Sequence, residues 1–239
     1  MGNWTAGEVL GFDFETTGVD RFGDVPVSFA LVTVVAGAVV ETAAGLVNPG
    51  REIPAGATNI HGISTERARD EGMPLRDAVE MVTEAVLSAS RRGVPVAGMK
   101  LDYDLTILDT QSRRFTGIGL SERGWGGPVL DAVVLDRHLD RFRKGSRTLG
   151  SLCDFYGVVL GNAHDASADA VASVQVLLAL AARYKELRDA DLVELHEAQI
   201  RWHRDWATSY DQWRSGEGMA PIDPRDYVWP VAPYVVTAA

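Results

Sequence analysis

Cysteine is almost absent from this chain: one of its 239 residues, Cys153, is a cysteine. A single cysteine cannot form an internal disulfide, so we expect a reducing compartment. Long apolar runs are also scarce, and we expect no stretch that spans a membrane. The N-terminus lacks the charged and then apolar pattern of a signal peptide. These absences favour a cytoplasmic protein.

Basic residues are the minority charge, since 23 Lys and Arg stand against 33 Asp and Glu for a net charge of −10. This balance excludes a general nucleic-acid coat, because counterion release needs many cationic contacts. Hydrophobic residues are plentiful at 46% of the chain, which is enough for a sizeable globular core. A local basic patch and a cluster of metal-binding carboxylates are both compatible with this composition.

The run FDFETTG at residues 12–18 reads as a short buried strand followed by a turn. Side chains alternate along a strand, so Asp13 and Glu15 share one face while Phe14 points to the core. Two such carboxylates repel each other unless a cation lies between them, and Mg²⁺ and Mn²⁺ prefer oxygen ligands. The alternative is a strand end that carries two solvated acids.

Strand and helix patterns alternate up to residue 182, which indicates an α/β domain over residues 1–182. The expected elements are a hairpin at 25–35 and 38–47, a loop at 60–63, helices at 64–70 and 74–92, a strand at 94–97, a helix beginning at 104, a last strand at 129–134, and helices at 148–156 and 165–182.

Residues 183–239 differ in character and are predicted to form a helical extension with a proline-containing tail. A helical stripe in this extension is expected to cover the core or a second copy of the chain; it consists of Trp202, Trp206, Tyr210 and Trp213. A basic cluster precedes it and forms either a solvated helix face or a contact with phosphates; its members are Arg137, Arg141, Arg143, Lys144 and Arg147.

Further acids lie at element boundaries, namely Asp104 and Asp169. With Asp13 and Glu15 they make four carboxylates, enough to hold two divalent metals about 4 Å apart. His164 is the candidate general base. On a helix, a five-residue offset separates two side chains by about 140°, so His164 and Asp169 converge only if His164 precedes the helix. Asp165 as the N-cap fits that geometry.

These segments, with IHGI at residues 60–63, resemble the motifs of the His-containing DEDD exonucleases, the family of the epsilon proofreading subunit of bacterial replicative polymerases. The resemblance covers about residues 8–182. It implies a ribonuclease-H-like α/β fold with a mixed five-stranded sheet flanked by helices. It also implies 3′-to-5′ hydrolysis of single-stranded ends to nucleoside monophosphates.

By position, the resemblance assigns the metal ligands, which bind two Mg²⁺ or Mn²⁺ ions, to Asp13, Glu15, Asp104 and Asp169. It makes His164 the base and places Thr16 and His61 at the terminal nucleotide. One departure is that Met99 and Lys100 replace the usual His-Asn pair of the second motif. Lys100 then reaches either a substrate phosphate or solvent, and Arg143 and Lys144 are expected to contact phosphates farther along the strand.

The leading hypothesis is therefore a metal-dependent exonuclease on single-stranded DNA 3′ ends, with a DNA polymerase or repair protein as a partner and no membrane association. An exoribonuclease uses the same chemistry, and these motifs do not reveal a preference for a 2′-hydroxyl. A third reading is a nucleic-acid-binding or polymerase-accessory module in which Lys100 has weakened catalysis.

Overall fold

A mixed six-stranded sheet forms the centre of the protein, seen in a computed structural model that describes residues 3–162 and 164–234. The strands are β1 (Glu8–Thr16), β2 (Pro26–Val35), β3 (Ala38–Asn48), β4 (Met73–Pro74), β5 (Val96–Gly98) and β6 (Val129–Asp131). Their order across the sheet is β4-β3-β2-β1-β5-β6. The α/β class is confirmed, and the sheet has one strand more than expected because the two-residue β4 pairs with the end of β3.

The predicted hairpin is confirmed, because β2 and β3 pair antiparallel around Ala36 and Gly37. Both turn residues have positive φ, at 50° and 83°, as a tight hairpin turn requires. On its other side β1 pairs in parallel with β5, and β5 in turn pairs in parallel with β6. The strand that carries Asp13 and Glu15 therefore lies near the middle of the sheet.

The helices are α1 (Ala55–His61), α2 (Thr65–Glu71), α3 (Leu75–Arg92), α4 (Leu101–Thr116), α5 (Ala132–Leu139), α6 (Leu149–Tyr156), α7 (Ala166–Arg183), α8 (Lys185–Arg188) and α9 (Leu192–Gly216). Two expectations were wrong. The segment at 60–63 is not all loop, because α1 runs to His61 and ends at Gly62 with φ 73°. The strand at 129–134 stops after three residues because the Asp131 carboxylate accepts hydrogen bonds from Val133 N and Val134 N and so begins α5.

The two faces of the sheet bury different helices. Phe12 and Phe14 lie in one core with residues of α3 and α4, whereas α5, α6 and α7 pack on the opposite face. The helix α7 approaches β1 at Gly11, where an added Cβ would lie 3.0 Å from the Val174 side chain. This contact brings the start of α7 next to the carboxylate face of β1.

Helix α7 has the length and composition of a membrane span but is packed as a core helix. Among the described residues it is the one helix long and apolar enough to cross a membrane by length and composition, and half of that window is buried inside the protein. Its apolar side chains pack against the sheet, including Val174, Leu177 and Leu180. A core helix is buried in this way, so the apolar residues of α7 are explained by their packing against the sheet.

Helix α9 covers the edge of the sheet. Gln199 is fully buried; its Nε2 donates to Val129 O at 2.7 Å, and its Oε1 accepts from Asp131 N at 2.9 Å. The Nδ1 atom of His196 accepts from Val129 N at 3.3 Å. An edge strand exposes unpaired backbone groups, and these side chains satisfy those of β6. The segment after residue 182 thus packs closely on the sheet, while the boundary predicted there stays a prediction.

Candidate active site

The first two acids of the site come from β1. Asp13 and Glu15 are partly buried and alternate with the buried Phe12 and Phe14, as the strand period predicts. The pairing register with β2 shifts between Glu15 and Thr16. The strand thus presents both carboxylates on the face of the sheet against which α7 packs.

Helix α4 supplies the third carboxylate. Asp104 lies in the first turn of the helix and is 5% exposed. Its Oδ1 accepts a hydrogen bond from Phe14 N at 3.0 Å. β1 pairs with β5 at Leu10 and Gly11, so Phe14 lies beyond that pairing and the Asp104 side chain takes the place of a strand partner. This bond holds Asp104 near β1, close enough for its charge to raise the pKa of Asp13.

The fourth carboxylate and the histidine come from the start of α7. Asp165 is the N-cap and accepts hydrogen bonds from Ser167 N and Ala168 N, both at 3.1 Å, as predicted. His164 precedes the helix with φ 64°, and its backbone N donates to Asp169 Oδ2 at 3.2 Å. The left-handed turn at His164 therefore folds the histidine back over Asp169.

These groups converge closely. One ligand atom each from Glu15, His164 and Asp169 lie within 4.8 Å of one another. The Oδ1 atom of Asp169 is buried and has no hydrogen-bond partner within residues 3–162 and 164–234. A buried carboxylate oxygen without a donor is costly unless a cation or water satisfies it.

The pKa values reflect this crowding. Burial, and then Asp104, Glu15 and Asp169, raise the pKa of Asp13 well above its ordinary value. Burial and the nearby Asp169 and Asp165 raise the pKa of Glu15 to about 7. Burial also raises the pKa of Asp104 and that of Asp169. Burial is the largest cause at each carboxyl, and repulsion by neighbouring carboxylates adds to it at Asp13 and Glu15, so ionising the cluster is unfavourable without a cation.

A cleft of about 610 Å³ opens beside Glu15 and is lined by Thr16, His61 and Tyr103, among others. The Nδ1 atom of His61 accepts a hydrogen bond from Ile63 N at 3.1 Å, so the remaining proton of the neutral ring lies on Nε2. That Nε2 is buried and has no partner among the described residues. Burial lowers the pKa of His61, which favours this neutral donor form.

Tyr103 was missed from the sequence. Its hydroxyl lies 3.0 Å from Thr16 Oγ1 and donates to Gly18 O, which ties α4 to the turn after β1. The signal was available in its position directly before Asp104. Asp165 was predicted as a cap, but its electrostatic effect on Glu15 and Asp169 was not.

The loop after β1 is also held by the C-terminal tail. Arg21 forms an ion pair with Asp102 at 3.2 Å and another with Asp226. The Arg225 guanidinium stacks 4.0 Å from the ring centroid of Phe22. Residues far apart in sequence therefore fix one wall of the cleft, and no local motif announces this contact.

The Lys100 side chain does not bind any of the four carboxylates among the described residues. It is exposed, precedes α4 with φ 58°, and makes no ion pair or side-chain hydrogen bond with the described residues. Met99 is partly buried against the core beneath α7. A left-handed residue favours Gly or Asn, which gives a physical reason for Asn at the position of Lys100 in the family motif.

The basic cluster divides into arginines that bind an internal carboxylate and residues that do not. Arg143 and Arg147 bind the buried Asp136 at 3.2 and 2.5 Å, and the Arg143 side chain is 5% exposed. Tyr156 also donates to Asp136, at 2.7 Å. This internal network occupies Arg143, which corrects the expectation that Arg143 is free to contact phosphates. Lys144 remains exposed.

The sequence model of the RNase_T family, described as "Exonuclease", matches residues 10–177, more than half of the chain. A DNA polymerase III PolC-type protein of Caldanaerobacter subterraneus is 27% identical over 190 residues, which cover 80% of this chain and 13% of that protein. A DNA polymerase III subunit epsilon-like protein of Rhodobacter capsulatus is 31% identical over 183 residues, which cover 71% and 23%. The chain thus spans less than a quarter of the length of these curated relatives.

Solved structures show the same fold. Exonuclease I from Methylocaldum szegediense aligns with a TM-score of 0.62 at 22% identity, over 77% of this chain and 42% of that one. Escherichia coli Exonuclease I in complex with a dT13 oligonucleotide aligns with a TM-score of 0.63 at 21% identity, over 76% and 42%. The predicted family is confirmed by the sequence match and its fold by these structures. The chain belongs to the RNase_T exonuclease family.

Proposed function

We propose that this chain is a 3′–5′ exonuclease that hydrolyses single-stranded DNA ends to nucleoside 5′-monophosphates with two divalent metal ions. The observation that carries the proposal is the convergence of Glu15, His164 and Asp169 beside a cleft, with one ligand atom of each within 4.8 Å of the others. Asp13 on β1 and Asp104 on α4 lie outside that group of three but next to it, because Asp104 binds Phe14 N between Asp13 and Glu15 in sequence. The raised pKa values of Asp13, Glu15, Asp104 and Asp169 support a site that is completed by positive charge.

The residues fit Mg²⁺ or Mn²⁺ on two grounds. The donor set is all carboxylate oxygen, which hard divalent ions prefer. The buried and unpartnered Oδ1 of Asp169 is the kind of atom that a bound cation satisfies. When bound, the two ions would stabilise negative charge on the phosphodiester and make water a better nucleophile. Asp13, Glu15, Asp104 and Asp169 would hold them.

His164 is the proposed general base. Its imidazole has a nitrogen within 4.8 Å of carboxylate oxygens of Glu15 and Asp169, which leaves room for a water molecule between them. The imidazole accepts the proton of the attacking water as its oxygen bonds to phosphorus. The bond from phosphorus to the 3′ oxygen of the penultimate nucleotide breaks, and that oxygen takes a proton from solvent water and leaves as a hydroxyl.

The cleft beside Glu15 is proposed to hold the terminal nucleotide. The Nε2–H of His61 supplies a donor to its sugar or phosphate, and Thr16 stands opposite on β1. Tyr103 holds the turn at Gly18 that forms the wall of the cleft. Lys100 is exposed at the start of α4, and its ammonium is proposed to reach a non-bridging phosphate oxygen.

DNA is favoured over RNA because relatives are named as DNA polymerase III proteins, and Exonuclease I has been solved with a dT13 oligonucleotide. The same names favour a polymerase or a repair protein as the partner, and we place the protein in the cytoplasm. The test is digestion of 3′-labelled single-stranded DNA, duplex DNA and RNA side by side with Mg²⁺ or Mn²⁺.

We expect mononucleotide release from single-stranded DNA first, and none in EDTA. Faster release from RNA would instead favour the exoribonuclease alternative. Binding without release on any of the three substrates would favour the accessory module, and Lys100→Asn would then test whether the lysine has weakened catalysis.

A further inference from the structure

A second polar cavity, of about 380 Å³, lies between α5 and α9, outside the carboxylate cluster. Its lining includes two arginines, two tryptophans and a serine, namely Arg137, Arg141, Trp202, Trp206 and Ser209. Helix α9 lies beyond residues 10–177, so one wall of this groove comes from outside the family match. The chemistry proposed for the carboxylate cluster therefore does not account for the groove.

Arg137 is the unusual residue of the groove. Its guanidinium lies 3.6 Å from the ring centroid of Trp206, which holds it flat against the indole. Within residues 3–162 and 164–234 it donates no hydrogen bond and has no carboxylate within 4.0 Å, whereas Arg143 and Arg147 are tied to Asp136. Burial also lowers the pKa of Arg137. A partly buried guanidinium with unused donors is suited to an anion that supplies oxygen acceptors.

Other residues of the groove reinforce this reading. Arg141 is exposed and likewise forms no ion pair or side-chain hydrogen bond with the described residues. His138 stacks on Trp202 with ring centroids 3.7 Å apart, which fixes that wall. Asp205 also lines the groove and lies near enough to raise the pKa of His138, against a larger lowering by burial. Among the described residues, Asp205 is the one carboxylate that lines the groove, and Asp131, Asp102 and Asp136 act on Arg137 from beneath it. The two arginines therefore present their unused donors to the groove itself.

We propose that the groove between α5 and α9 binds phosphate groups of nucleotides, with Arg137 and Arg141 as the anchoring residues. This rests on the proposed function, which supplies the nucleotides. The start of α5 lies against the start of α4, because Asp131, the N-cap of α5, accepts a hydrogen bond from Leu101 N at 2.8 Å. The phosphates of a strand that enters the active site past α4 would continue toward this groove. Free mononucleotide product carries the same chemistry and is the other source.

The test compares Arg137→Met, Arg141→Met and the control Arg204→Met in the full-length chain. Arg204 is exposed on α9 outside the groove, so its replacement removes the same charge without touching the site. Fluorescence anisotropy with a 5′-labelled dT12 oligonucleotide in EDTA measures binding without turnover. We expect each groove variant to lose about tenfold in affinity, the size of one charge-assisted contact, and the salt dependence to become less steep. Arg204→Met should change affinity by less than twofold.

Competition by dTMP and by inorganic phosphate identifies the source. Displacement of dT12 only at far higher concentrations of either competitor assigns the groove to strand phosphates. If dTMP or phosphate displaces dT12 at concentrations similar to that of dT12, and this displacement disappears in both groove variants, the groove is assigned to free nucleotide. Equal affinities for the two groove variants and Arg204→Met would overturn the proposal, and Arg141→Met keeps this outcome accessible if Arg137→Met folds poorly.

Hydrolysis of a dinucleotide separates this proposal from the proposed function. If the groove holds phosphates farther along the strand, a dinucleotide will not reach it, and Arg141→Met should hydrolyse a dinucleotide at the wild-type rate within about twofold. If neither the wild type nor any variant hydrolyses the dinucleotide while dT12 binding still depends on the two arginines, the proposed activity fails and the phosphate groove stands.

Discussion

Replacing Glu15 with glutamine should remove a pH-dependent loss of stability from the metal-free protein. Burial, Asp169 and Asp165 raise the pKa of Glu15 from 4.5 to about 7. A carboxyl whose pKa is raised by folding contributes stability that is fully present below its unfolded pKa and is lost as the pH rises through its folded pKa. The free energy of unfolding of the wild type should therefore fall between pH 5 and pH 8.

The magnitude follows from the same pKa change. Unscreened, it corresponds to roughly 3 kcal/mol, and solvent screening of this partly exposed side chain reduces the effect to roughly 1–2 kcal/mol. Asp13, Asp104 and Asp169 are kept in Glu15→Gln, so the difference between the two proteins reports the Glu15 carboxylate together with its repulsion of Asp13 and Asp104. Mg²⁺ or Mn²⁺ should restore the wild type at pH 8, because a bound cation removes the cost of ionising the cluster.

The assay is urea unfolding in EDTA at pH 5, 6, 7 and 8. Glu41→Gln is a matched control, because Glu41 is exposed on β3 and lies away from the cluster. We expect the stability gap between Glu15→Gln and the wild type to widen with pH in favour of the variant, and the gap for Glu41→Gln to stay constant. Parallel curves for all three proteins would refute the electrostatic reasoning.

Three further variants test single residues of the site. Asp104→Asn should abolish hydrolysis but keep an oxygen acceptor for Phe14 N. Its free energy of unfolding, measured in urea, should therefore be about 1–2 kcal/mol larger than that of Asp104→Ala, and equal values would refute a role for that bond. His164→Ala should lower turnover by about 10²–10⁴-fold while metal binding, followed by calorimetry, persists; retained turnover would exclude it as the base. Lys100→Asn should raise the free energy of unfolding by about 0.5–1 kcal/mol because position 100 has φ 58°, and a loss of stability would contradict the assigned turn.

The strand and helix pattern was predictable where periodicity and capping agreed. Alternation in FDFETTG gave the two faces of β1, and the five-residue offset from His164 to Asp169 required a loop followed by an Asp165 cap, which the structure has. These are local rules, in which a side chain's direction follows from its neighbours in sequence. The prediction of a strand at 129–134 was wrong beyond residue 131 because a run of apolar residues suits a strand and a buried helix equally.

The environment of the site was not predictable, because it depends on contacts between distant segments. Asp136 lies only seven residues before Arg143, but no helical spacing or cap pairs them, because α5 ends between the two. The sequence likewise does not show that Arg137 has no acceptor among the residues that the structure describes. Likewise, composition alone suggested that α9 is a separate extension. Its Gln199 instead bonds the backbone of β6, a pairing over 70 residues of sequence.

Metal-dependent hydrolysis from the 3′ end is tested most directly by the products of one digestion of an oligonucleotide with defined ends. A 5′-labelled dT12 oligonucleotide with a free 3′ hydroxyl is incubated with wild type and with Asp13→Asn, in Mn²⁺ and in EDTA. We expect a ladder that shortens one nucleotide at a time from the 3′ end, release of dTMP, and no products with Asp13→Asn or in EDTA. Release of the labelled 5′ nucleotide first, or an undiminished ladder with Asp13→Asn, would contradict this prediction.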